Sequence, residues 1–360
     1  MKSRLPRVRS TALVLFAFFL LFLLLANAEL AMDGVRRGLS LCTETLIPAL
    51  FPFLVLSELF VACGAGEMLG RFLGKPLSAL FGISRGGACA VLLGALCGQP
   101  VASASGLSLC ERGEISPAEL ERISLFANNP SSAFLTAAVG GAIFGNKSAG
   151  AALFFITLFS SLLVGVGLRI FCGKVEFSSK KAPNGMRKAF GAADITGGIK
   201  RAFFTLLQVC AFLLFFCALA ACLDAPLRNT APFWRVLLCG TLEITGGISA
   251  AASTLPPLTA FRLTTFFSSF AGLSVCLQIL SITEGKRLRL SHYLLAKLSQ
   301  GGIALALCEG YLYFFHPVLS PASSVPTLSP NTQLSWFVIL LLLLAFSFCL
   351  LAKNRERKTP

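Results

Sequence analysis

The stretch GACAVLLGALCGQPVASASGLSL, Gly87–Leu109, decides how this chain is expected to fold. Its two arms are mostly apolar, and together they are about as long as the roughly 20 residues that cross a bilayer. Its middle holds Gly98-Gln99-Pro100, followed by Ser103 and Ser105. Polar, glycine-rich breaks at membrane depth occur where the backbone lines a cavity inside the protein. The stretch therefore predicts a re-entrant hairpin, which enters the membrane and returns to its own side.

The rest of the 360-residue chain is similarly apolar. Hydrophobic side chains make up 55% of it and charged side chains only 13%, against roughly 25% charged in a soluble domain, which excludes a water-soluble fold. Further apolar stretches are Thr11–Ala28, Leu39–Gly64, Ile123–Gly145, Ala149–Phe171, Ala202–Leu223, Phe233–Ser253, Phe261–Ile282, Leu290–Phe315 and Trp336–Leu351. The sequence predicts an all-α polytopic membrane protein. Thr11–Ala28 is expected to be its first transmembrane helix, and Ala26-Asn27-Ala28 leaves open the alternative of a cleaved signal peptide.

A second stretch with a polar break, Phe233–Ser253, predicts a second hairpin. Each hairpin is followed by a segment with a polar middle and by one last apolar segment, and Gly34–Leu39 weakly matches Gly198–Phe203 at the start of each series. We therefore predict two copies of one unit, residues 34–172 and 198–316. A linker at 173–197 joins them. The predicted flanks are an N-terminal transmembrane helix (1–33) and a region with an external loop, a C-terminal transmembrane helix and a basic tail (317–360).

The distribution of basic residues orients this arrangement. A unit with one hairpin crosses the membrane three times, so its second copy is inverted and the chain has about eight full spans. With the N-terminus inside, all but six of the 31 Lys and Arg lie on the cytoplasmic side, and the positive-inside rule favours this orientation. Lys297 is counted here as a cytoplasmic loop residue. The six outside are Arg36, Arg37, Lys147, Arg228, Arg235 and Arg262. Orientation thus explains the net charge of +15, argues against nucleic-acid binding and places both termini in the cytoplasm.

Polar residues at the breaks are the candidate solute-binding residues, since secondary transporters bind solutes and ions where half-helix ends meet near the middle of the bilayer. They are Gln99, Ser103, Ser105, Asn128, Asn129, Ser131 and Ser132 in the first unit and Glu243, Thr245, Ser249, Ser268 and Ser269 in the second. Pro130 disfavours a continuous helix and frees backbone groups that Asn128 and Asn129 can complement. The alternative is a helix kink packed with small polar residues.

Glu243 lies inside an apolar stretch, where a carboxylate is costly enough to predict a function. It could take up a proton or a sodium ion that drives transport. The alternative is a structural ion pair with Arg235, two helical turns earlier. Glu58 and Glu309 also lie in apolar stretches, where they are expected to bridge helices through hydrogen bonds.

Sequence signatures of an enzyme are lacking. The chain has no phosphate-binding loop, no Gly-x-Ser-x-Gly elbow in a strand-turn-helix context and no His-rich metal pattern. Its 13 cysteines include no Cys-x-x-Cys pair and are expected to pack as small apolar residues. We therefore expect no catalysis, no cofactor and no metal site. The expected partners are a small-molecule solute and the lipid bilayer, and the sequence leaves the oligomeric state open.

Several of these segments resemble the YlbJ-type sporulation integral membrane proteins of the nucleoside-recognition (Gate) domain group. The resemblance rests on Leu46–Val55, Gly94–Pro100, Leu125–Ser131 and Phe144-Gly145-Asn146. It covers nearly the whole chain and is strongest from 44 to 150. Where Gln99 stands, the family is expected to have an aromatic residue.

The resemblance implies two Gate-like repeats in a cytoplasmic-membrane protein of endospore formers, similar in architecture to concentrative nucleoside transporters. It further implies the export of dipicolinate, a small planar dicarboxylate, from the mother cell toward the forespore. Half-helix N-termini and clustered Ser and Asn donors are compatible with a carboxylate ligand. Two alternatives remain, a transporter of nucleoside-type solutes and a sporulation membrane scaffold that transports nothing.

Overall fold

The computed structural model describes residues 4–64, 74–175, 191–224, 226–227, 230–283 and 288–315. The predicted C-terminal helix Trp336–Leu351 and most of the predicted linker at 173–197 lie outside these ranges. Within them every regular element is a helix, which confirms the predicted all-α class. The helices are α1 (Arg4–Ala26), α2 (Ala28–Leu41), π1 (Cys42–Leu46), α3 (Ile47–Ala62), α4 (Gly74–Phe81), α5 (Arg85–Cys97), α6 (Val101–Glu111), α7 (Pro117–Phe126), π2 (Phe134–Ile143), α8 (Lys147–Cys172), α9 (Ala192–Asp224), α10 (Pro232–Leu242), α11 (Ile244–Thr254), α12 (Pro257–Phe270), α13 (Gly272–Ile282) and α14 (Leu290–Phe315).

The stretch Gly87–Leu109 forms a helical hairpin, as predicted. Helix α5 ends where Gly98 takes a φ of +88°, which a residue with a side chain rarely adopts, and α6 returns along α5. The two limbs touch so closely that a Cβ atom at Gly94 would lie 2.5 Å from the Cβ of Ala102. Both ends of the hairpin lie together, because a Cβ at Gly86 would be 3.2 Å from the Ile115 side chain.

The second predicted hairpin is also present, formed by α10 and α11. Its limbs meet backbone to backbone, since a Cβ at Gly247 would lie 2.1 Å from the Cα of Gly240. Glu243 is the single residue between the two helices. In both hairpins the small residues of the sequence are therefore what allow the chain to fold back on itself.

Helix length and composition identify three described segments that could cross a membrane: Lys147–Cys172, Ala192–Asp224 and Pro257–Ile282. Two bent pairs bring the number to five if each pair counts as one span. These are Val14–Ala26 with Ala28–Glu44, bent by 93°, and Gly74–Phe81 with Arg85–Cys97, bent by 94°. The chain is thus a multi-pass membrane protein. The count of about eight spans stays a prediction.

A similar order of elements occurs twice along the chain, apart from α4, which has no counterpart among the described elements of the second series. The first series is a long arm (α2, π1 and α3), a hairpin (α5 and α6), a broken helix (α7 and π2) and a long helix (α8). The second series is a long helix (α9), a hairpin (α10 and α11), a broken helix (α12 and α13) and a long helix (α14). Both predicted interruptions are present, between Phe126 and Phe134 in the first series and at Ala271 in the second.

The first and the last long elements of the two series pack against each other. In the first pair, Gly34 near the start of the first arm lies beside Cys217 near the end of α9. At the other end of that pair, Glu58 of α3 forms an ion pair with Arg201 near the start of α9 (2.6 Å). The last helices of the two series, α8 and α14, also pack together.

The loops predicted to be cytoplasmic gather on one face of the molecule. The Arg122 guanidinium donates hydrogen bonds to the Phe81 carbonyl (3.2 Å) and the Gly173 carbonyl (2.7 Å). On the same element, Glu121 lies 3.1 Å from the ring nitrogen of His292, near the start of α14. These contacts connect α7 to the end of α4, the end of α8 and the start of α14.

Candidate solute-binding site

The tip of the first hairpin is seated on the break in the helix that follows it. The Gln99 N–H donates to the Asn129 carbonyl (2.7 Å), which the interruption of the helix has left free. A Cβ at Gly98 would lie 2.8 Å from the backbone nitrogen of Ser131, so a side chain at that position would separate the two elements. The Oε1 atom of Gln99 is buried and has no hydrogen-bond partner within the described ranges.

Asn128 joins the break to the returning limb of the hairpin. Its Nδ2 donates to the Ser103 hydroxyl (2.8 Å) and to the Ser124 carbonyl (3.0 Å), and its Oδ1 accepts from the Ser103 N–H (3.3 Å). The Ser103 hydroxyl in turn donates to the Ser124 hydroxyl (2.8 Å). All three side chains are buried.

Asn129 joins the break to the two long helices α8 and α14. Its Nδ2 donates to the Ser161 hydroxyl of α8 (2.9 Å) and to the Phe126 carbonyl (3.3 Å). Its Oδ1 accepts from the Nε2 of Gln300 on α14 (2.7 Å), and that same amide also donates to the Thr157 carbonyl (3.3 Å). The asparagine pair thus holds four elements together through side-chain amides.

Lys297 is the residue that the sequence interpretation missed. It was predicted to be a cytoplasmic loop residue, and that prediction is wrong: Lys297 lies within α14 with no exposed surface. Its ammonium donates to the Asn128 carbonyl (2.5 Å) and to Oε1 of Gln300 (2.8 Å). The signal was available, because Lys297 and Gln300 are three residues apart in an apolar stretch and therefore share one face of a helix.

We call this buried network the central cluster. Its members come from the returning hairpin limb, the broken helix and the two long helices: Ser103, Ser124, Asn128, Asn129, Thr157, Ser161, Lys297 and Gln300. It offers neutral amides, hydroxyls and one ammonium, and no carboxylate. Across the described ranges, no group of three or more His, Cys, Asp or Glu is placed to hold a metal ion.

Glu243 has a different setting. Its carboxylate accepts from the N–H groups of Thr245 (2.9 Å) and Gly246 (2.6 Å) and so caps the N-terminus of α11. The alternative of an ion pair with Arg235 is wrong, because the Arg235 guanidinium pairs with Asp224 at 2.8 Å. No hydrogen bond between described residues connects the Glu243 cap directly to the central cluster.

The other predicted residues divide into buried and exposed ones. The Ser105 and Ser268 hydroxyls are buried without a partner within the described residues, and the Ser269 hydroxyl lies 3.5 Å from that of Thr157. The Ser131 hydroxyl accepts from the Phe134 N–H and so serves as a cap. Ser132 and Ser249 are exposed and, within the described ranges, their side chains form no hydrogen bond with the buried residues above, so their role as site residues stays a prediction.

A cleft of about 490 Å³ opens between the two series of elements, on the face where the predicted cytoplasmic loops gather. Glu58 lies in its wall and accepts hydrogen bonds from the Ser108 hydroxyl and from Arg201, so it bridges three helices as predicted. Ala104 also lines the cleft, and its sequence neighbours Ser103 and Ser105 are buried. The cleft volume is within the range of about 300–1,000 Å³ that is typical of small-molecule sites.

Comparisons with known proteins agree with the resemblance found in the sequence. The chain is 25% identical over 338 residues to the "Sporulation integral membrane protein YlbJ" of Bacillus subtilis (strain 168), an alignment that covers 82% of this chain and 81% of that protein. No family model matches the chain. No solved structure matches it either. The expected resemblance to the YlbJ type is confirmed.

Proposed function

From this resemblance to YlbJ-type sporulation integral membrane proteins, we propose that the chain transports a small anionic solute across a membrane during sporulation. The solute implied by the family is dipicolinate, exported from the mother cell toward the forespore. The membrane would be that of the mother cell or the outer forespore membrane, with both termini in the cytoplasm. The architecture would be the Gate-like one of concentrative nucleoside transporters.

The repeated order of elements supports transport as the class of function. The first arm and α9, which are equivalent in the two series, run antiparallel, as is expected when the second copy of a unit is inverted in the membrane. Inverted repeats with hairpins and broken helices are typical of secondary transporters, in which one half rocks against the other around a central site. Coupling to H⁺ or Na⁺ belongs to the same proposal.

The observation that carries the proposal is the contact between the hairpin tip and the broken helix. There the Gln99 N–H meets the free carbonyl of Asn129, and the amides of Asn128 and Asn129 connect this point to two further helices. Polar groups inside a membrane protein are costly to bury, so a cluster of them is a functional-site hypothesis by default. The cleft beside Ala104 supports a route for a solute from the predicted cytoplasmic face to this point.

The test is a flux assay with the full-length protein in lipid vesicles. We expect dipicolinate uptake above that of protein-free vesicles, strongly reduced by Asn128→Ala and unchanged by Ser148→Ala, a control at an exposed position. Uptake of uridine in place of dipicolinate would support the nucleoside-type alternative. Folded protein that moves neither solute would contradict transport and favour the scaffold. Imposed pH and Na⁺ gradients identify the coupling ion.

The orientation has its own test. A reporter fused after Gly113, beyond the returning limb of the first hairpin, is expected to report cytoplasm, because both ends of that hairpin lie on one face. If the fusion reports the outside, the re-entrant hairpin and the inversion are both wrong.

A further inference from the structure

Among the described residues, no carboxylate lies within ion-pair distance of the Lys297 side chain. Its hydrogen-bond acceptors are a backbone carbonyl, that of Asn128, and a neutral side-chain amide, that of Gln300. Within the part of the chain that the structure describes, Lys297 takes part in no ion pair. An ammonium can donate three hydrogen bonds, and two are used here.

The charged groups of the neighbouring elements interact with groups other than Lys297. On α7, the buried Glu119 carboxylate accepts a hydrogen bond from the Ser84 N–H (2.5 Å), and its other oxygen has no hydrogen-bond partner among the described residues. On α14 itself, His292 pairs with Glu121 of α7 near one end, and Glu309 pairs with Arg262 of α12 near the other, about 18 Å along the helix from Lys297. From α8 the cluster receives only the neutral Thr157 and Ser161. From α13, the titratable group that interacts with the ammonium is the Cys276 thiol.

A second buried donor lies next to Lys297. Tyr293 is one helical turn earlier on the same face of α14, has no exposed surface, and its hydroxyl has no partner among the described residues. A lysine with no ion-pair partner and a tyrosine with a free hydroxyl thus lie one helical turn apart on α14, both without exposed surface, as far as the described residues show.

A buried ammonium without an anionic partner does not favour stability, since a hydrophobic side chain of similar volume would avoid the cost of removing the charge from water. The arrangement makes sense if the missing anion arrives as a ligand. We propose that Lys297 binds a carboxylate of the transported solute, assisted by the Tyr293 hydroxyl, so that the site selects small carboxylates over neutral nucleoside-like molecules. This inference rests on the proposed transport function and assigns its charge selectivity to one residue.

The first test needs no variant. Binding to the purified full-length protein is measured by calorimetry for dipicolinate, for its neutral diamide and for uridine. Because a hydrogen bond between charged groups is worth more than a neutral one, we expect dipicolinate to bind at least tenfold more tightly than the diamide. Equal affinities for the two overturn the inference.

The second test uses three variants. Lys297→Met keeps the length of the side chain without its charge and is expected to lower dipicolinate affinity at least tenfold while leaving diamide affinity unchanged. Lys297→Arg is expected to retain part of the preference for dipicolinate over its diamide. Lys147→Met, the same change of charge at an exposed position, is the control and is expected to change neither affinity.

The outcomes separate this inference from the proposed function. If wild-type vesicles transport dipicolinate and Lys297→Met binds it within twofold of wild type, transport stands and the role of Lys297 is wrong. If the wild type binds uridine but no carboxylate, the selectivity is likewise overturned. If the wild type binds and transports none of these solutes, the proposed function has itself failed. If Lys297→Met does not fold, charge selectivity is tested by the wild-type affinities for dipicolinate and its diamide, and equal affinities overturn the inference.

Discussion

Replacement of Asn129 by alanine tests whether the central cluster holds the broken helix in place. The side-chain amide of Asn129 makes three hydrogen bonds, to Ser161 (2.9 Å), Phe126 (3.3 Å) and Gln300 (2.7 Å). Asn129→Ala removes all three. The Ser161 hydroxyl keeps its bond to the Phe126 carbonyl at 2.7 Å, whereas the Nε2 of Gln300 keeps only a long contact of 3.3 Å to the Thr157 carbonyl.

The expected loss of stability follows from these bonds. A side-chain hydrogen bond inside a membrane protein contributes about 0.6 kcal/mol on average and one in a soluble core about 1 kcal/mol. Three of them give about 2–3 kcal/mol. Ser132→Ala is the matched control three residues further along the chain, and because Ser132 is exposed we expect a change within about 0.5 kcal/mol.

The measurement is reversible unfolding of the purified protein in mixed micelles with increasing denaturing detergent. Gln300→Ala and the double variant complete a cycle, in which Asn129 and Gln300 should couple by about 0.5–1.5 kcal/mol. A loss below 0.5 kcal/mol for Asn129→Ala, or an equal loss for the control, contradicts the hydrogen-bond network described above.

Three further changes address other parts of the molecule, each measured by the same unfolding assay. Glu243→Ala removes the cap of α11 and should cost about 0.5–2 kcal/mol, whereas Glu243→Asp should retain most of it; equal losses would contradict the capping role. Single and double replacement of Glu58 and Arg201 by glutamine should reveal a coupling of about 1 kcal/mol, and additive effects would mean that the ion pair contributes nothing. Gly150→Ala brings a Cβ to 2.5 Å from the Leu135 carbonyl and should cost about 1–3 kcal/mol, whereas Gly310→Ala meets no atom within 4 Å and should be neutral or stabilising.

Local chemistry is what made the fold predictable from the sequence. Glycine and proline at 98–100 interrupt one apolar stretch and Glu243 interrupts the other, and both stretches form hairpins in the structure. Asn128-Asn129-Pro130 predicted the broken helix for the same reason. Such signals depend on the backbone conformation of a few neighbouring residues, so they can be recognised without knowledge of the tertiary structure.

The composition of the central cluster could only partly be predicted, because it depends on which face each helix turns inward. Ser132 was expected to accompany Asn128 and Asn129, but it lies after the break and is exposed. Lys297 was counted with the basic residues of the preceding loop, because the positive-inside rule favours placing such residues on the cytoplasmic side. Its contact with the Asn128 carbonyl joins residues 169 positions apart, which no local pattern encodes.

The length of the first hairpin determines how strongly anion binding at its tip should depend on the membrane potential. Its first limb has 13 residues, or about 20 Å of helix. In the proposed re-entrant orientation, with this limb perpendicular to the membrane and starting at its surface, the tip would lie about two thirds of the way through a hydrocarbon core of about 30 Å. Moving one elementary charge across the whole membrane changes its energy by about 2.3 kcal/mol per 100 mV, so reaching the tip corresponds to about 1.5 kcal/mol if the potential falls evenly. In the proposed orientation, a membrane that is negative inside drives an anion from the cytoplasm toward the tip. Anion binding at this depth should therefore strengthen as the membrane potential becomes more negative inside.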